Sequence, residues 1–434
     1  MSIWIEKKFK ESEIGKIPLD WSCTTLNKIA DINPKPIKLD SDDIAVSFVG
    51  MADVSESAKL MNTTNRNYSE VKKGFTSFQD DDVLVAKITP CFENGKGALA
   101  FNLTNGIGFG STEFHVIRAK EKKGNPEFIH HITTTHNFRV KGEMNMTGTA
   151  GQKRVGKDFI ASYLIACPPL AEQQKIAEVL STVDKKIDLI DQKIAETEKL
   201  KTGLMQKLFS EGVGVQDSDG NWQPHNEFQD SPFGRIPATW RYDSVRSLVS
   251  IKSPKYDPKV ETDSFPCIEL EHLSQGSGEI LGTVNSLNLA STKNCFTKGE
   301  VLFGKLRPYL KKFAQPSFQG VCSSEIWVMK TINEEKLHNN FLYFFVQHER
   351  FINETNKSCG TKMPRADWKV VSELQLPVPS VEEQLEIANI LSCIDTNLGL
   401  LKQQKAETQQ LKKGLMQKLL TGEWRVPLDN PEAA

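Results

Sequence analysis

Ala195-Glu196-Thr197-Glu198-Lys199-Leu200-Lys201-Thr202-Gly203-Leu204-Met205-Gln206-Lys207-Leu208 is written a second time in this chain. The copy is Ala406-Glu407-Thr408-Gln409-Gln410-Leu411-Lys412-Lys413-Gly414-Leu415-Met416-Gln417-Lys418-Leu419. Upstream of the first copy, apolar residues alternate at spacings of four and three: Ile176, Leu180, Val183, Ile187, Ile190 and Ile194. Thr197 and Lys201 interrupt the series, Leu200 is expected to cover part of the gap, and Leu204 and Leu208 resume it. The second series runs Ile387, Leu391, Ile394, Leu398 and Leu401, breaks at Lys405, Thr408 and Lys412, and resumes at Leu415 and Leu419. Such a heptad seam without proline predicts two long helices. Each would run about 60 Å at 1.5 Å per residue. Pro168-Pro169 and Pro377-x-Pro379 suit their starts, and Gly212 and Gly214 suit the end of the first. An apolar seam needs a partner. The tethered copy is the nearest one, and a twofold relation between copies makes the pair antiparallel. A generic dimerisation coiled coil is the plainer reading of the same heptads.

The repetition extends outward from the helices. Phe9-x-x-Ser12-x-x-Gly15-Lys16-Ile17-Pro18-x-x-Trp21 returns as Phe228-x-x-Ser231-x-x-Gly234-Arg235-Ile236-Pro237-x-x-Trp240. Asp82-Val83-Leu84-Val85-Ala86-Lys87-Ile88-Thr89-Pro90 returns as Glu300-Val301-Leu302-Phe303-Gly304-Lys305-Leu306-Arg307-Pro308. Ser111-Thr112-Glu113 returns as Ser323-Ser324-Glu325. A unit this long is a duplicated domain pair and no solenoid. The helical ends match closely while the globular middles share only short anchors, which suggests one frame carrying two different recognition surfaces. The expected divisions are a first globular domain (1–165), a helix (166–212), a linker (213–232), a second globular domain (233–376), a second helix (377–422) and a tail (423–434). Each globular part mixes β-branched runs with Gly, Asn, Asp and Ser turns. Strands are expected at Val83–Ile88, Glu113–Ile117, Val301–Leu306 and Ile326–Met329. Helices are expected at Pro126–Arg139 and Asn339–Asn353. The fold class is therefore α+β: two α+β domains separated by two long antiparallel coiled-coil helices, with a pseudo-twofold internal repeat.

Composition narrows the function. The chain has 434 residues, 25% of them charged and 38% hydrophobic, with a formal charge of −1. No apolar run approaches the roughly 20 residues that a membrane helix needs. Residues 1–13 lack the apolar core of a signal peptide, so the expected location is cytoplasmic and no membrane partner is expected. The eight cysteines form no C-x-x-C pair and the eight histidines no H-E-x-x-H, so no metal is expected. No P-loop, Rossmann glycine fingerprint or nucleophile motif stands out, and Asn33-Pro34-Lys35-Pro36 lacks the aromatic residue that a base-methylating tetrad needs. A charge near zero argues against nucleic acid unless basic residues cluster locally. They do cluster, at strand ends and loops. Lys87, Thr89 and Ser111 fall there in the first half, with Thr149, Gln152, Lys153 and Arg154 beside a glycine-rich turn. Lys305, Arg307, Tyr309, Lys311 and Lys312 follow in the second half, with Ser323, Ser324, Thr361, Lys362 and Arg365. Lysine and arginine beside such a turn hold phosphates, and arginine reads guanine bidentately. A solvated loop with incidental charge is the bland reading of any one of them, and it weakens for a set that recurs at equivalent points.

Three features together resemble one family. They are Gly-x-Ile-Pro-x-x-Trp opening each half, Val301-Leu302-Phe303-Gly304-Lys305-Leu306-Arg307-Pro308-Tyr309-Leu310-Lys311-Lys312 with Gly320-Val321-Cys322-Ser323-Ser324-Glu325, and Pro168-Pro169-Leu170-Ala171-Glu172-Gln173-Gln174 leading into the helix. The chain resembles the specificity subunits of type I restriction–modification systems over nearly its whole length. It departs at Thr89, where the usual arginine is absent, and at Ser380-Val381-Glu382-Glu383-Gln384, which lacks the double proline. The resemblance implies two target recognition domains, each reading part of a split site on double-stranded DNA. It implies helices that act as spacer and as docking surface for two modification (methyltransferase) subunits. It also implies motor–nuclease restriction subunits. S-adenosylmethionine, ATP and Mg²⁺ would belong to those partners, with no cofactor and no catalytic residue in this chain. A DNA-reading subunit of a related restriction–modification system and a scaffold without a DNA role are the competing readings.

Overall fold

The computed structural model describes residues 8–149, 151–357 and 363–428. Cys359, Thr361 and Lys362 lie outside the described residues. The chain divides into two compact units, Met1–Asp191 with Gln403–Ala434, and Gln192–Lys402. Each contains one globular domain and a half of both long helices.

In the first unit, the hairpin Phe9–Ser12/Gly15–Pro18 leads to the buried Trp21. Strand Ser22–Thr25 then pairs antiparallel with Leu164–Cys167 and brings the ends of the domain together at the helix start. Between them stand two four-stranded sheets. One has the order Ala30–Ile32, Phe114–Ala119, Asp82–Ala86, Gly97–Leu99, all antiparallel. The other has the order Thr64–Asn67, Ala45–Val49, Ile107–Gly110, Thr76–Gln79, with one parallel pair at its centre. The central strand Asp82–Ala86 is buried throughout, as its run of Val83, Leu84, Val85 and Ala86 requires.

The second unit repeats this plan. Hairpin Phe228–Ser231/Gly234–Pro237 precedes buried Trp240, and Arg241–Ser244 pairs with Gln375–Val378. One sheet has the order Val249–Ser250, Ile326–Thr331, Val301–Gly304, Phe313–Ala314. The other gains an outer strand, Lys255–Tyr256, beside Lys293–Phe296, Gly320–Cys322, Pro266–Ile268 and Val284–Asn285. The expected helices at 126–139 and 339–353 are each two. Pro126–Thr133 stops where Thr133, Thr134 and Thr135 turn their hydroxyls back onto carbonyls, and Thr135 caps His136–Met144. Asn339–Phe345 stops before His348, whose Nδ1 accepts from the Arg350 amide near the start of Glu349–Lys357.

The long helices are Leu170–Glu211 and Val381–Leu419. Ile176, Leu180, Ile187 and Ile190 of the first are buried in the first unit. Met205, Leu208 and Phe209 are buried in the second unit, together with Ile387, Leu391 and Leu398 of the second helix. The lysines that interrupt the seam form ion pairs between the helices, while Thr197 and Thr408 turn their hydroxyls onto carbonyls of their own helix. In the first unit Lys412 meets Asp184 and Lys405 meets Asp191, each at 2.6 Å. In the second unit Lys201 meets Asp395 at 2.6 Å and Lys402 meets Glu198 at 3.3 Å. As the residue number rises on one helix it falls on the other, so within each unit the pairing is antiparallel. Leu200 does not cover the gap. It is 55% exposed, and Lys201 takes the inward position instead.

Both helices end in a left-handed glycine, Gly212 at φ +71° and Gly422 at φ +74°. A Cβ at Gly212 would overlap Glu383 and Trp240, and one at Gly422 would overlap Pro18. Among the described residues, no helix is long and apolar enough to cross a membrane.

Candidate nucleic-acid interface

The frame that holds each site begins with a buried carboxylate at the helix start. Trp21 Nε1 donates to Glu172 Oε2 at 2.9 Å, and Trp240 Nε1 donates to Glu383 Oε2 at 2.7 Å. Glu172 and Glu383 are almost wholly buried, so both need further donors. Arg425 supplies them in the first unit, at 2.5 and 2.7 Å, and also grips Asp20. That grip holds the Asp20 carboxyl below its usual range. In the second unit the donors are His225 Nε2 at 2.9 Å and the amides of Val213 and Gly214 at 2.9 and 3.0 Å. The neighbouring glutamines do similar work. Gln173 bridges the Asn125 amide to the Lys123 and Pro168 carbonyls, and Gln384 bridges the His338 amide to the Lys336 and Pro379 carbonyls. Tryptophan and Glu-Gln each stand twice in the sequence, but only the fold joins them. Their recurrence as a set was the available signal.

On this frame three loops converge in each unit. In the first, the Lys87 amide donates to the Glu113 carbonyl at 2.7 Å and the Thr89 amide to the Lys153 carbonyl at 3.0 Å. The Val155 amide returns to the Lys87 carbonyl at 3.0 Å. The second unit uses the same scheme. The Lys305 amide donates to Glu325, the Arg307 amide to Pro364 and the Ala366 amide to Lys305. Strand-like bridges join Ile88 to Arg154 and Leu306 to Arg365. The segments chosen from sequence as strand ends and basic turns therefore meet.

Their side chains divide into engaged and free. Arg154 makes a two-toothed pair with Glu113, and Arg365 makes the same pair with Glu325. The Arg154 hydrogen bond lowers the Glu113 carboxyl, and Glu325 raises the Arg365 guanidinium. Ser111 and Ser323 accept the amides of Glu113 and Glu325, and so shape these turns. Lys87 Nζ donates to the Thr112 carbonyl at 2.7 Å, and burial lowers its pKa. The Thr89 hydroxyl turns inward to Glu93. Lys312 Nζ donates to the Leu270 carbonyl at 2.5 Å, just as Lys96 Nζ donates to Met51 at 3.0 Å. The sequence showed no such pairing because Lys96 sits in an unmatched stretch. Thr149, Gln152, Lys153, Arg307, Tyr309, Lys311 and Ser324 are exposed, and Lys305 is half-buried. Behind the first cluster, buried His115 donates from Nε2 to the Val155 carbonyl at 2.9 Å, while Nδ1 accepts from the side-chain Nδ2 of Asn33 at 3.0 Å. Burial lowers its pKa to about 4, so the ring is neutral and acts as a brace.

Comparison with known proteins gives a consistent picture. The family model described as Type I restriction modification DNA specificity domain matches residues 18–199 and again 238–410. The type I restriction enzyme EcoAI specificity subunit of Escherichia coli is 35% identical over 228 residues, which are 52% of this chain and 38% of that protein. The chain thus aligns with less than half the length of that relative. The putative type I restriction enzyme MjaX specificity subunit of Methanocaldococcus jannaschii is 24% identical along 98% of this chain and 99% of its own. Among solved structures, the type I restriction–modification S subunit from M. genitalium has a TM-score of 0.56 at 16% identity, covering 96% of this chain and 99% of that one. At that identity the likeness is one of fold.

Proposed function

The chain belongs to the type I restriction–modification DNA specificity family, and from that premise we propose that it reads a two-part, asymmetric site on double-stranded DNA, one part with each unit. The observation that supports this most is the convergence of three loops in each unit. It sets exposed basic and hydroxyl side chains on a turn scaffold held by backbone hydrogen bonds and a Glu–Arg pair. Phosphate contacts would come from lysines such as Lys153, and base contacts from arginine and the polar side chains.

The long helices would hold the two readers apart and dock two modification subunits. Four leucines outside the apolar seam support docking. Leu189 and Leu411 are exposed in the first unit, and Leu200 and Leu400 in the second. The register of the Glu198–Lys402 pair sets Leu200 level with Leu400. Exposed leucine pairs on helices are what a partner helix would cover. Methyl transfer, with S-adenosylmethionine, would fall to those subunits. ATP- and Mg²⁺-dependent translocation and cleavage would fall to motor–nuclease subunits. The address would be this chain's contribution.

The test is methylome sequencing of a host with and without the gene, alongside methylation assays of the purified chain alone and with modification subunits. Methylation at a split motif that depends on the gene and on both components is expected. Methyl transfer by the isolated chain, or an unchanged methylome beside an active modification subunit, contradicts the proposal.

A further inference from the structure

Arg66 stands on Thr64–Asn67, the outer strand of its sheet in the first unit. Its guanidinium lies over the Phe48 ring, with Cζ 3.7 Å from the ring centre. Phe75 meets Phe48 edge-on, ring centres 5.1 Å apart. Arg66 and Phe48 are both half-buried. Among the described residues of the first unit, Arg118, Arg139, Arg154 and Arg425 all hold a carboxylate or a carbonyl. Arg66 alone has no hydrogen-bond or ion-pair partner there. A charge that merely guarded a sheet edge would extend into water. This one is held flat by a cation–π contact, which leaves its five N–H donors unspent.

The second unit shows that the common frame does not require this residue. Ser111 and Ser323 are matching anchors, so Phe109 corresponds to Val321, each two residues before. Phe109 pairs with Phe48 and Val321 with Cys267, both in parallel. Phe48 in turn faces Thr64, and Cys267 faces Val284. Two residues further on, Arg66 therefore corresponds to Ser286. Ser286 is buried, and its hydroxyl donates to Tyr256 Oη at 3.0 Å and accepts the Phe265 amide at 2.9 Å. Tyr256 comes from the outer strand that this sheet gains. A closed core position in the second unit is thus an open arginine on an aromatic ring in the first. Phe48, Arg66, Cys267 and Ser286 all fall outside the motifs that the two halves share. The stack also adjoins the converging loops, since the carbonyl of Val49, next to Phe48, accepts the Ser111 amide at 3.2 Å.

Resting on the DNA-reading function proposed above, we infer that Arg66 is a base-reading residue of the first unit and that Phe48 positions it. The guanidinium, fixed in one plane on the ring, presents its paired donors to guanine O6 and N7 in the major groove. The second unit has a buried serine at this place and reads its half-site with other side chains.

Two variants separate this role from a phosphate contact and from a structural one. Arg66→Ser removes the guanidinium, and Arg66→Lys keeps the cation over Phe48 but loses the planar fork. With modification subunits and a DNA library covering both half-sites, each should relax one guanine position on the order of tenfold or more and leave the other half-site intact. Phe48→Leu should relax that same position, less strongly, and no other. Retained discrimination by Arg66→Ser and Arg66→Lys overturns the inference, and so does relaxation at a base other than guanine. Full discrimination by Arg66→Lys, beside a uniform loss and a shallower salt dependence for Arg66→Ser, would make Arg66 a phosphate contact, which overturns base reading. Lower melting temperatures with equal losses at both half-sites would make it a support of the sheet, which also overturns it. Arg66→Lys keeps the experiment decisive if Arg66→Ser fails to fold. If the wild-type complex shows no sequence preference, the DNA-reading function itself fails and takes this inference with it.

Discussion

At the scale of single residues, several buried groups are kept neutral. Burial lowers the pKa of His130 and His131 to about 3, with Lys412 adding to the effect, and that of His115 and His348 to about 4. In an unfolded chain each would titrate near 6.5. Below that pH the unfolded state takes up protons that the folded state refuses, so stability falls as pH falls through the window from about 6.5 to 4. The second unit has Phe344 where the first has His131. His131→Phe should leave stability at pH 7 within about 1 kcal/mol. It should reduce the loss between pH 7 and pH 5 by roughly 2 kcal/mol. Urea midpoints at the two values check this, and an unchanged difference between them would contradict it. Of the adjacent pair His130-His131, His131 is buried and His130 half-buried. The Trp–Glu clasps were not legible, because their members stand more than a hundred residues apart. The fate of Thr89 and Lys312 was equally hidden, since the direction of a side chain at a strand end depends on loops from elsewhere in the chain.

Among the elements, the helix pair was the most legible, because a heptad seam needs only its own sequence. What the seam did not disclose is that its interrupting lysines each meet an aspartate on the opposite helix. Lys201 and Asp395, and Lys412 and Asp184, correspond to each other under the repeat, and each pair spans the seam of its unit. These pairs specify register. A slip of one heptad would set Lys201 against Lys402 in one direction and against the buried Ala388 in the other. Removing one partner strands a charge that is mostly out of water, so Asp395→Leu should cost about 3 kcal/mol. Asp395→Leu with Lys201→Leu should recover most of that loss, because two well-packed leucines need no counter-ion. A double-mutant cycle on urea midpoints measures it. Simple additivity of the two losses would mean that the pair has no coupling. The short helices of the globular domains were less legible than the long ones. Their breaks at Thr134-Thr135 and near His348 come from local capping by hydroxyl and imidazole groups inside runs that otherwise look continuous.

For the whole molecule, the repeat in the sequence anticipated two domains with one plan, and both units show it down to the parallel pair at the centre of the second sheet. The extra strand Lys255–Tyr256 falls in a stretch where the halves share no anchor. If the helices measure the gap between half-sites, their length should set the number of unread base pairs. The seam register adds a condition, since Ala195 faces the level of Leu401. Four residues inserted after Ala195 and four after Lys402 keep all four inter-helix ion pairs in register and lengthen the pair by roughly 6 Å. At about 3.4 Å per base-pair step, the spacer should grow by one or two base pairs with both half-site sequences unchanged. Methylome sequencing reads the outcome. An active variant with the original spacer would show that these helices do not set it.

The clasp on Glu172 has a consequence for synthesis. The second unit is one continuous stretch, Gln192–Lys402, and holds every group that its own Glu383 needs. The first unit waits for Arg425, which leaves the ribosome 253 residues after Glu172. At 5–20 residues per second that delay is roughly ten to fifty seconds. During it, the domain begun first carries an acidic group without its counter-ion and a helix seam without its second strand. The half translated first is completed last, and it is the half on which a chaperone or a protease has time to act.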